Sequence, residues 1–353
     1  MNGYGALVRD EVDDFVCTHP NGSFMQMPCW AQTRPDWESE LLCVRGSDQK
    51  IEATMLLLFR TVPLLGTVAY APRGPVCDYH DPTTVDAILS LAKDAAMRRH
   101  AIFLRVDPPM QAQDSRAIEL FQQFGFKPPV RAFARTIQTA ENYLIPLSGK
   151  SLQEILSACS PKCRYNIRLA QRKGVECRAV DPFEYLDRFY ALMQETSLRD
   201  GFPCRPKGYF SDLFKAFGPE NCRLFMSFYG GVPLSGAIAI RRGDTVSYLY
   251  GASSGKVREV MPNHLMQWEI IRWAHAEHCA LYDMMGVPNH CFKDAPEYGL
   301  YRFKKGFGGE VCEYAGQFDL VFRPLRARLL PVIRRLYSAA VKKRNRLRQA
   351  ALL

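Results

Sequence analysis

Leu300-Tyr301-Arg302-Phe303-Lys304-Lys305-Gly306-Phe307-Gly308-Gly309 has a weaker counterpart about 180 residues upstream, Leu120-Phe121-Gln122-Gln123-Phe124-Gly125-Phe126-Lys127. What precedes each stretch also matches. Ala53–Ala71 and Ser235–Ala252 are apolar double runs that end in Tyr70-Ala71 and in Tyr250-Gly251-Ala252. Helical patterns follow at Val85–His100 and His264–His278, then apolar strands at Ile102–Val106 and Leu281–Met285. A duplication at so long a period implies two copies of one α/β unit, because solenoid repeats are far shorter. Two like units side by side leave a cleft between them. Only the second copy carries a lysine pair, and the flanking glycines place Lys304 and Lys305 in a turn. This asymmetry marks the second copy for chemistry.

At 353 residues the chain is long enough for two domains, each with its own core. Its 47% hydrophobic and 23% charged residues are those of a soluble globular protein. No run of 18 apolar residues occurs, so no membrane-spanning helix is expected. Asp10, Glu11, Asp13 and Asp14 stand where a signal peptide has an apolar core. Twelve cysteines without a Cys-x-x-Cys pair point to a reducing cytoplasm, with most thiols packed as small core residues.

The net charge of +10 is concentrated at one end. Ten Lys/Arg and no acid lie between Arg323 and Arg348, and the rest of the chain carries 36 residues of each sign. Leu325, Leu329, Val332, Ile333, Leu336, Tyr337 and Val341 recur there at helical spacing. The reading is a basic amphipathic helix over 323–348. It suits anionic lipid or nucleic acid phosphate, and equally a helix docked on the body with its arginines in water.

The expected domains are 1–147, completed by 313–353, and 148–312. In the first, Asp81-Pro82-Thr83-Thr84 caps a helix, Asp107-Pro108-Pro109 stops the strand Ile102–Val106, and a helix starts near Ser115. In the second, Ser160 before Pro161 and the stop at Gly174 bound a helix. Helices Pro182–Arg199 and Lys207–Phe217 and strands Arg223–Tyr229, Leu234–Arg241 and Thr245–Gly251 follow.

Four groups of residues invite chemistry. Lys162, Arg164, Arg168 and Arg172 lie on the helix after Ser160, with the three arginines four apart on one face. Such a stripe matches a phosphate backbone, or is an ordinary solvated face. Lys304, with Lys305 beside it, stands among aromatics and glycines, where an ammonium can steady charge on a carbonyl oxygen, or the two are an ordinary surface lysine pair. Asp107, at a strand's end, is either a base that orients an amine or a turn carboxylate. Arg199, Arg205 and Tyr209, and likewise Trp30 with Arg34, are candidate anion and ring-stacking patches. Tyr248 and Tyr250 alternate with Leu249 on a strand, so both are expected on one side. His275, His278, Cys279, His290 and Cys291 lack the convergent spacing of a metal site. No Walker loop, Gly-x-Ser-x-Gly or strand-linked GxGxxG occurs, nor the Gln/Arg-x-x-Gly-x-Gly loop with which acetyltransferases hold coenzyme A.

Taken together, Ser160-Pro161-Lys162-Cys163-Arg164-Tyr165-Asn166-Ile167-Arg168-Leu169-Ala170, the Arg199–Tyr209 stretch, Tyr248-Leu249-Tyr250-Gly251-Ala252 and Tyr301-Arg302-Phe303-Lys304 resemble the FemABX-type aminoacyltransferases. Gln26-x-x-x-Trp30 and Arg73-Gly74-Pro75 look like that family's amino-terminal unit, and the resemblance runs from about Phe24 to Arg323. It implies an α/β fold of two tandem acetyltransferase-like (GNAT-like) units with an interdomain cleft, in the short form without a coiled-coil arm. The activity implied is transfer of an amino acid from aminoacyl-tRNA to an amine of a UDP-linked or lipid-linked peptidoglycan precursor, building the interpeptide bridge. By the same resemblance, Phe303 and Lys304 meet the tRNA acceptor end or the reacting ester. Arg205 and Tyr209 bind the diphosphate part of the acceptor, and Tyr248 and Tyr250 line that channel. Arg34 stands where a family member has a phosphate-binding lysine, so charge is kept and geometry is not.

The chemistry asks for no metal or coenzyme: aminolysis of an activated ester is downhill, and the enzyme has mainly to position its substrates. Lys304 is assigned the oxyanion and Asp107 the amine. A cytoplasmic monomer is expected, with peripheral contact at the inner face of an anionic membrane. The alternatives are an acyltransferase using acyl-coenzyme A or another carrier, and a non-catalytic RNA- or membrane-binding protein.

Overall fold

The computed structural model describes residues 4–129, 137–288, 290 and 292–330, with backbone alone for 4–8. Helix α1 (Tyr4–Thr18) leads through the 3-10 turns Phe24–Gln26 and Pro28–Thr33 to strands β1 (Glu38–Arg45), β2 (Ile51–Val62) and β3 (Gly66–Ala71). Helix α2 (Pro82–Arg98), strand β4 (Ala101–Val106), helix α3 (Ser115–Gln123) and strand β5 (Glu141–Pro146) follow. Next come α4 (Leu152–Ala158), α5 (Pro161–Arg172), β6 (Val175–Val180), α6 (Pro182–Asp200) and α7 (Lys207–Asn221), the last kinked at Gly218. Strands β7 (Cys222–Tyr229), β8 (Val232–Arg242) and β9 (Thr245–Ser253) precede α8 (Pro262–Ala276) and β10 (Leu281–Gly286). The described chain then runs through α9 (Tyr298–Lys305), β11 (Glu310–Glu313) and β12 (Phe318–Val321), and 324–330 are helical. No described helix is long and apolar enough to cross a membrane.

The chain divides into two compact units, 36–137 with 315–353, and 1–35 with 138–314. The smaller unit holds a five-stranded sheet in the order β1-β2-β3-β4-β12. Only β3 and β4 are parallel, and α2 supplies the long crossover that a parallel pair requires. Asp81 caps α2 by accepting from the Thr83 N–H at 3.0 Å, with Pro82 in the first turn. Its Val85, Ile88, Leu89, Ala92 and Ala96 recur at helical spacing and are buried in the same core as β2 and β4. All six residues of β4 are buried, Arg105 included. That charge is tolerable because Arg105 meets Asp319 of β12 through Nε at 2.6 Å and Nη2 at 2.7 Å.

The larger unit holds seven strands in the order β11-β5-β10-β9-β8-β7-β6, again with a single parallel pair, β9 and β10, joined by α8. Residues 9–35, expected with the first copy, fall with this unit. The reason is local: Arg242 Nη1 donates to the carbonyls of Val16 and Cys17 at 2.9 and 3.1 Å, and Phe24 and Trp30 meet Phe217 edge-on. The signals around α5 act as read, since the Ser160 hydroxyl accepts from the Cys163 N–H at 3.2 Å and Gly174 takes a left-handed φ of 80°.

The order β2-β3-α2-β4-α3 in one unit repeats as β8-β9-α8-β10-α9 in the other, which is the internal duplication in structural form. The copies differ where it matters. Strands β3 and β4 stay paired to their ends, Ala71 with Val106. Strands β9 and β10 are paired only as far as Ser247 and Asp283, although β9 continues to Ser253 and β10 to Gly286. The second copy therefore has a parallel pair that parts toward its carboxyl ends.

Candidate active site

Lys304 sits at this parting. It lies in the last turn of helix α9, not in a glycine-bounded turn, because Gly306 follows the helix as its cap and Gly308 makes the turn beyond. Its side chain points inward and the residue is only 3% exposed. Nζ donates to the carbonyls of Met284 at 2.6 Å, Met285 at 3.2 Å and Gly286 at 2.8 Å. Three donors meet three acceptors, so the ammonium is saturated. Burial brings its pKa down to about 8, opposed by the nearby Asp283 carboxylate.

The carbonyls converge because the end of β10 is bent. Its pairing with β5 shifts between Asp283 and Gly286, and Met285 holds a left-handed φ of 61°. Asp283 fixes the bend: Oδ1 accepts from the Met285 N–H at 2.7 Å, and Oδ2 from Asn142 Nδ2 at 2.9 Å. Gly286 is required too, since a Cβ there would fall 2.3 Å from Thr139 Oγ1.

Phe303 precedes the lysine. Its ring centroid lies 5.1 Å from His264 and 5.4 Å from Phe307, both nearly edge-on. His264 Nε2 is 3.1 Å from Asn166 Nδ2. An amide nitrogen only donates, so this ring nitrogen accepts and the imidazole is neutral. Burial and then the Lys162 charge bring its pKa down to about 4. Sequence reasoning missed His264, whose only signal was its place at the start of the duplicated helix.

A second cluster surrounds Tyr209. The Arg34 guanidinium carbon lies 4.5 Å from the Trp30 ring centre and 4.8 Å from that of Tyr209, while Arg205 lies 5.2 Å from Tyr209. The Tyr250 hydroxyl stands 3.1 Å from that of Tyr209. Burial, with the neighbouring Tyr209, raises the Tyr250 pKa well above the usual phenol value. Among the described residues no carboxylate pairs with Arg34 or Arg205. Two guanidiniums stacked on one ring, with no carboxylate partner among the described residues, are suited to an anion.

Tyr248 and Tyr250 do not share a side. Leu249 is an extra residue in β9, because Ile238 pairs with Tyr250 and the adjacent Ala239 with Tyr248. Such a bulge reverses the alternation. Tyr250 faces Tyr209 and Phe210 of α7, at 5.9 and 5.2 Å between centroids. Tyr248 packs on the core on the α8 side, and a Cβ on Gly251 would lie 1.6 Å from its hydroxyl. Only Tyr250 joins the Tyr209 cluster.

Arg199 is occupied: Nε meets Asp200 Oδ1 at 2.8 Å and Nη1 meets the Ser253 carbonyl at 2.7 Å. Lys305 is exposed, with Nζ 5.7 Å from the Tyr301 ring. On α5, Arg164 is drawn to the carbonyls of Ser157 and Cys159, and Arg172 lies 5.7 Å from the Tyr165 ring, whereas Lys162 and Arg168 reach solvent. Asp107 belongs to the smaller unit and is buried there. It accepts from the Tyr70 hydroxyl at 2.7 Å and the Arg73 N–H at 2.5 Å, and burial raises its pKa. That is the geometry of a carboxylate holding a turn. Of the basic tail, 331–348 lie outside the described residues, as does Cys291; in 324–330, Ala327 is buried beside Leu65, Ile102 and Phe103. No group of His, Cys, Asp and Glu suited to a metal occurs among the described residues.

With this geometry in view, the sequence model of the FemAB family matches residues 7–228 and 226–335. The chain belongs to the FemAB family. The chain is similar to the lipid II:glycine glycyltransferase of Staphylococcus aureus strain bovine RF122 / ET3-1, 28% identical over 97% of this chain and 99% of that one. The enzyme of strain USA300 matches at the same identity and coverage. The solved structure of FemX superposes with a TM-score of 0.84 at 27% identity, covering 92% of this FemAB chain and 98% of FemX. A tandem GNAT protein from the clavulanic acid biosynthesis pathway gives 0.55 at 11% identity over 90% and 96% of the two chains. The FemAB fold here is thus two acetyltransferase-like units in tandem.

Proposed function

We propose that this FemAB protein moves an amino acid from aminoacyl-tRNA to an amine on the stem peptide of a peptidoglycan precursor, forming the interpeptide bridge. The observation that carries this reading is the Arg34–Tyr209–Arg205 cluster, a cationic site suited to the diphosphate that such precursors bear. Family membership and relatives named for lipid II support it.

In the reaction the acceptor ammonium first gives a proton to water, and the neutral amine attacks the ester carbonyl. An amide bond forms, the ester C–O bond breaks, and the ribose hydroxyl of the tRNA leaves with a proton. Positioning supplies most of the acceleration. Arg34, Arg205 and Tyr209 hold the diphosphate, with Tyr250 orienting the Tyr209 hydroxyl. Phe303 stacks on the terminal base, and Lys162, Arg168 and Lys305 meet tRNA phosphates. Lys304 steadies the oxyanion by lending the donor of its longest bond, that to Met285 at 3.2 Å. Asp107 contributes by fixing the turn at Arg73, with its oxygens already engaged. The protein acts as a monomer in the cytoplasm, at the inner face of the membrane.

Mass spectrometry of muropeptides from cells with and without the gene tests this. Loss of one residue from the cross-bridge supports it. Identical muropeptides in both strains overturn it.

A further inference from the structure

Side chains from three helices of the larger unit meet beside Phe303, and one of them, His264, has no part in the proposed reaction. Helix α5 supplies Lys162 and Asn166, four apart and so on one face, α8 supplies His264 in its first turn, and α9 supplies Phe303. The imidazole is held on three sides. Phe303 lies nearly edge-on at 5.1 Å, Phe307 is stacked at 6.1 Å with 29° between the planes, and Asn166 Nδ2 stands 3.1 Å from Nε2. Asn166 is buried, so little water competes for that bond.

The Asn166 bond decides which ring nitrogen carries the proton. A neutral imidazole has one donor and one acceptor nitrogen. With Nε2 accepting from Asn166, the proton resides on Nδ1. Among the described residues nothing accepts from Nδ1, and that atom is not enclosed by protein. A pKa brought down to about 4 keeps the ring neutral near pH 7. With one nitrogen engaged and the other already protonated, this histidine is not placed to take the acceptor ammonium's proton. What it offers is a single neutral N–H donor of fixed direction.

The neighbours indicate what such a donor meets. Phe303 is only half-buried, and Lys162 is exposed with its charge felt at the imidazole. A ring to stack on, an ammonium for phosphate and a neutral donor are contacts that a single-stranded nucleotide takes. We infer that His264 donates through Nδ1 to the terminal nucleotide stacked on Phe303, at a base ring nitrogen or the ribose 2′-hydroxyl, and that Asn166 is the positioning residue that holds this tautomer. The inference rests on reading the Phe303 site as that of the tRNA acceptor end, and it adds the side chain that reads the terminal nucleotide there.

The tautomer is tested on the full chain without RNA. The chain has seven histidines, and nitrogen-15 spectra of their labelled rings near pH 7 identify His264 as the signals lost in His264→Asn. That ring should show a protonated Nδ1 and a bare Nε2. A protonated Nε2, or a charged ring, overturns the inference. Asn166→Leu removes the partner and leaves the ring, so the two tautomers should mix. An unchanged ring in that variant overturns the positioning role.

Binding of an uncharged RNA hairpin ending in single-stranded CCA supplies the second arm. His264→Phe keeps an aromatic ring and loses the donor, so Kd should rise about tenfold, the scale of one hydrogen bond. His264→Asn puts an amide N–H near the place of Nδ1 and should recover most of that loss. Hairpins whose terminal adenosine has N1, N3 or N7 replaced by C–H, or lacks the 2′-hydroxyl, then locate the acceptor. One of these changes should cost the parent about tenfold and cost His264→Phe nothing. A base nitrogen or the hydroxyl is named by whichever change does so. Equal binding by parent and His264→Phe, or changes that cost both alike, overturns the inference and leaves the proposed function standing. A parent that binds none of the hairpins defeats the proposed function and this inference with it.

Discussion

The Lys304 ammonium lies 2.6 Å from the Met284 carbonyl oxygen, the nearest of three carbonyls that the bent end of β10 turns toward it. A cation fully bonded inside the protein locks a strand's end. It becomes a reaction partner only by giving up one of those bonds. The lock is observed and the reaction role is proposed, and the first prediction separates the two.

Replacing Lys304 by alanine should lower kcat by about two to three powers of ten, the cost of losing one oxyanion donor, and change KM far less. Circular dichroism on the same variant checks the lock, since three carbonyls lose their donor and melting should occur at lower temperature. Turnover unchanged in a folded variant rejects the role.

Lys304 also sets a pH limb. Its folded pKa of about 8 lies below the ordinary 10.5, so the folded protein sheds this proton before the unfolded chain does. Stability from this group is therefore complete above 10.5 and is lost as pH falls toward 8. The proposed oxyanion role needs the ammonium, so on that reading kcat should decline as pH rises through about 8. A kcat–pH profile checks this, and the residual activity of Lys304→Ala should lack that limb.

At the Tyr209 cluster, Arg205→Ala should raise acceptor KM about tenfold or more with little change in kcat, because charge-assisted bonds contribute a few kcal/mol to ground and transition states alike. Arg34→Lys should recover only part of the binding lost in Arg34→Ala. It keeps the charge but loses the stacking on Trp30 and Tyr209. Steady-state kinetics with varied acceptor distinguish these outcomes.

His264 is neutral because its pKa is lowered to about 4 from 6.5. The unfolded chain takes up this proton first on acidification, so its contribution to stability is present above 6.5 and is lost as pH falls toward 4. Allowing for its partial exposure, the loss amounts to about 2 kcal/mol. His264→Gln should flatten the melting temperature between pH 7 and 4, and an unaltered slope argues against it.

Much of this architecture was legible because it rests on local physics. Ser160, Pro161 and Gly174 bound α5 through bonds that those residue types make anywhere, and the matching Phe/Gly stretches exposed the duplication. The misses have one common cause, that long-range contacts overrode local pattern. Leu249 is unremarkable in sequence, yet as a bulge it sends Tyr248 and Tyr250 to opposite faces. Lys304 looks like a surface lysine until β10 supplies it with carbonyls from about 20 residues away. Arg242 draws residues 16–19 into the larger unit across more than 220 positions, and Arg199 reads as free until Ser253 is seen to hold it.

The most direct measurement reconstitutes the reaction from purified protein, tRNA charged with a labelled amino acid, and muropeptide precursor. The account predicts label joined to the precursor through an amide bond, abolished when the charged tRNA is first treated with ribonuclease. Label that never reaches the precursor, or transfer that proceeds from acyl-coenzyme A and ignores ribonuclease, contradicts it.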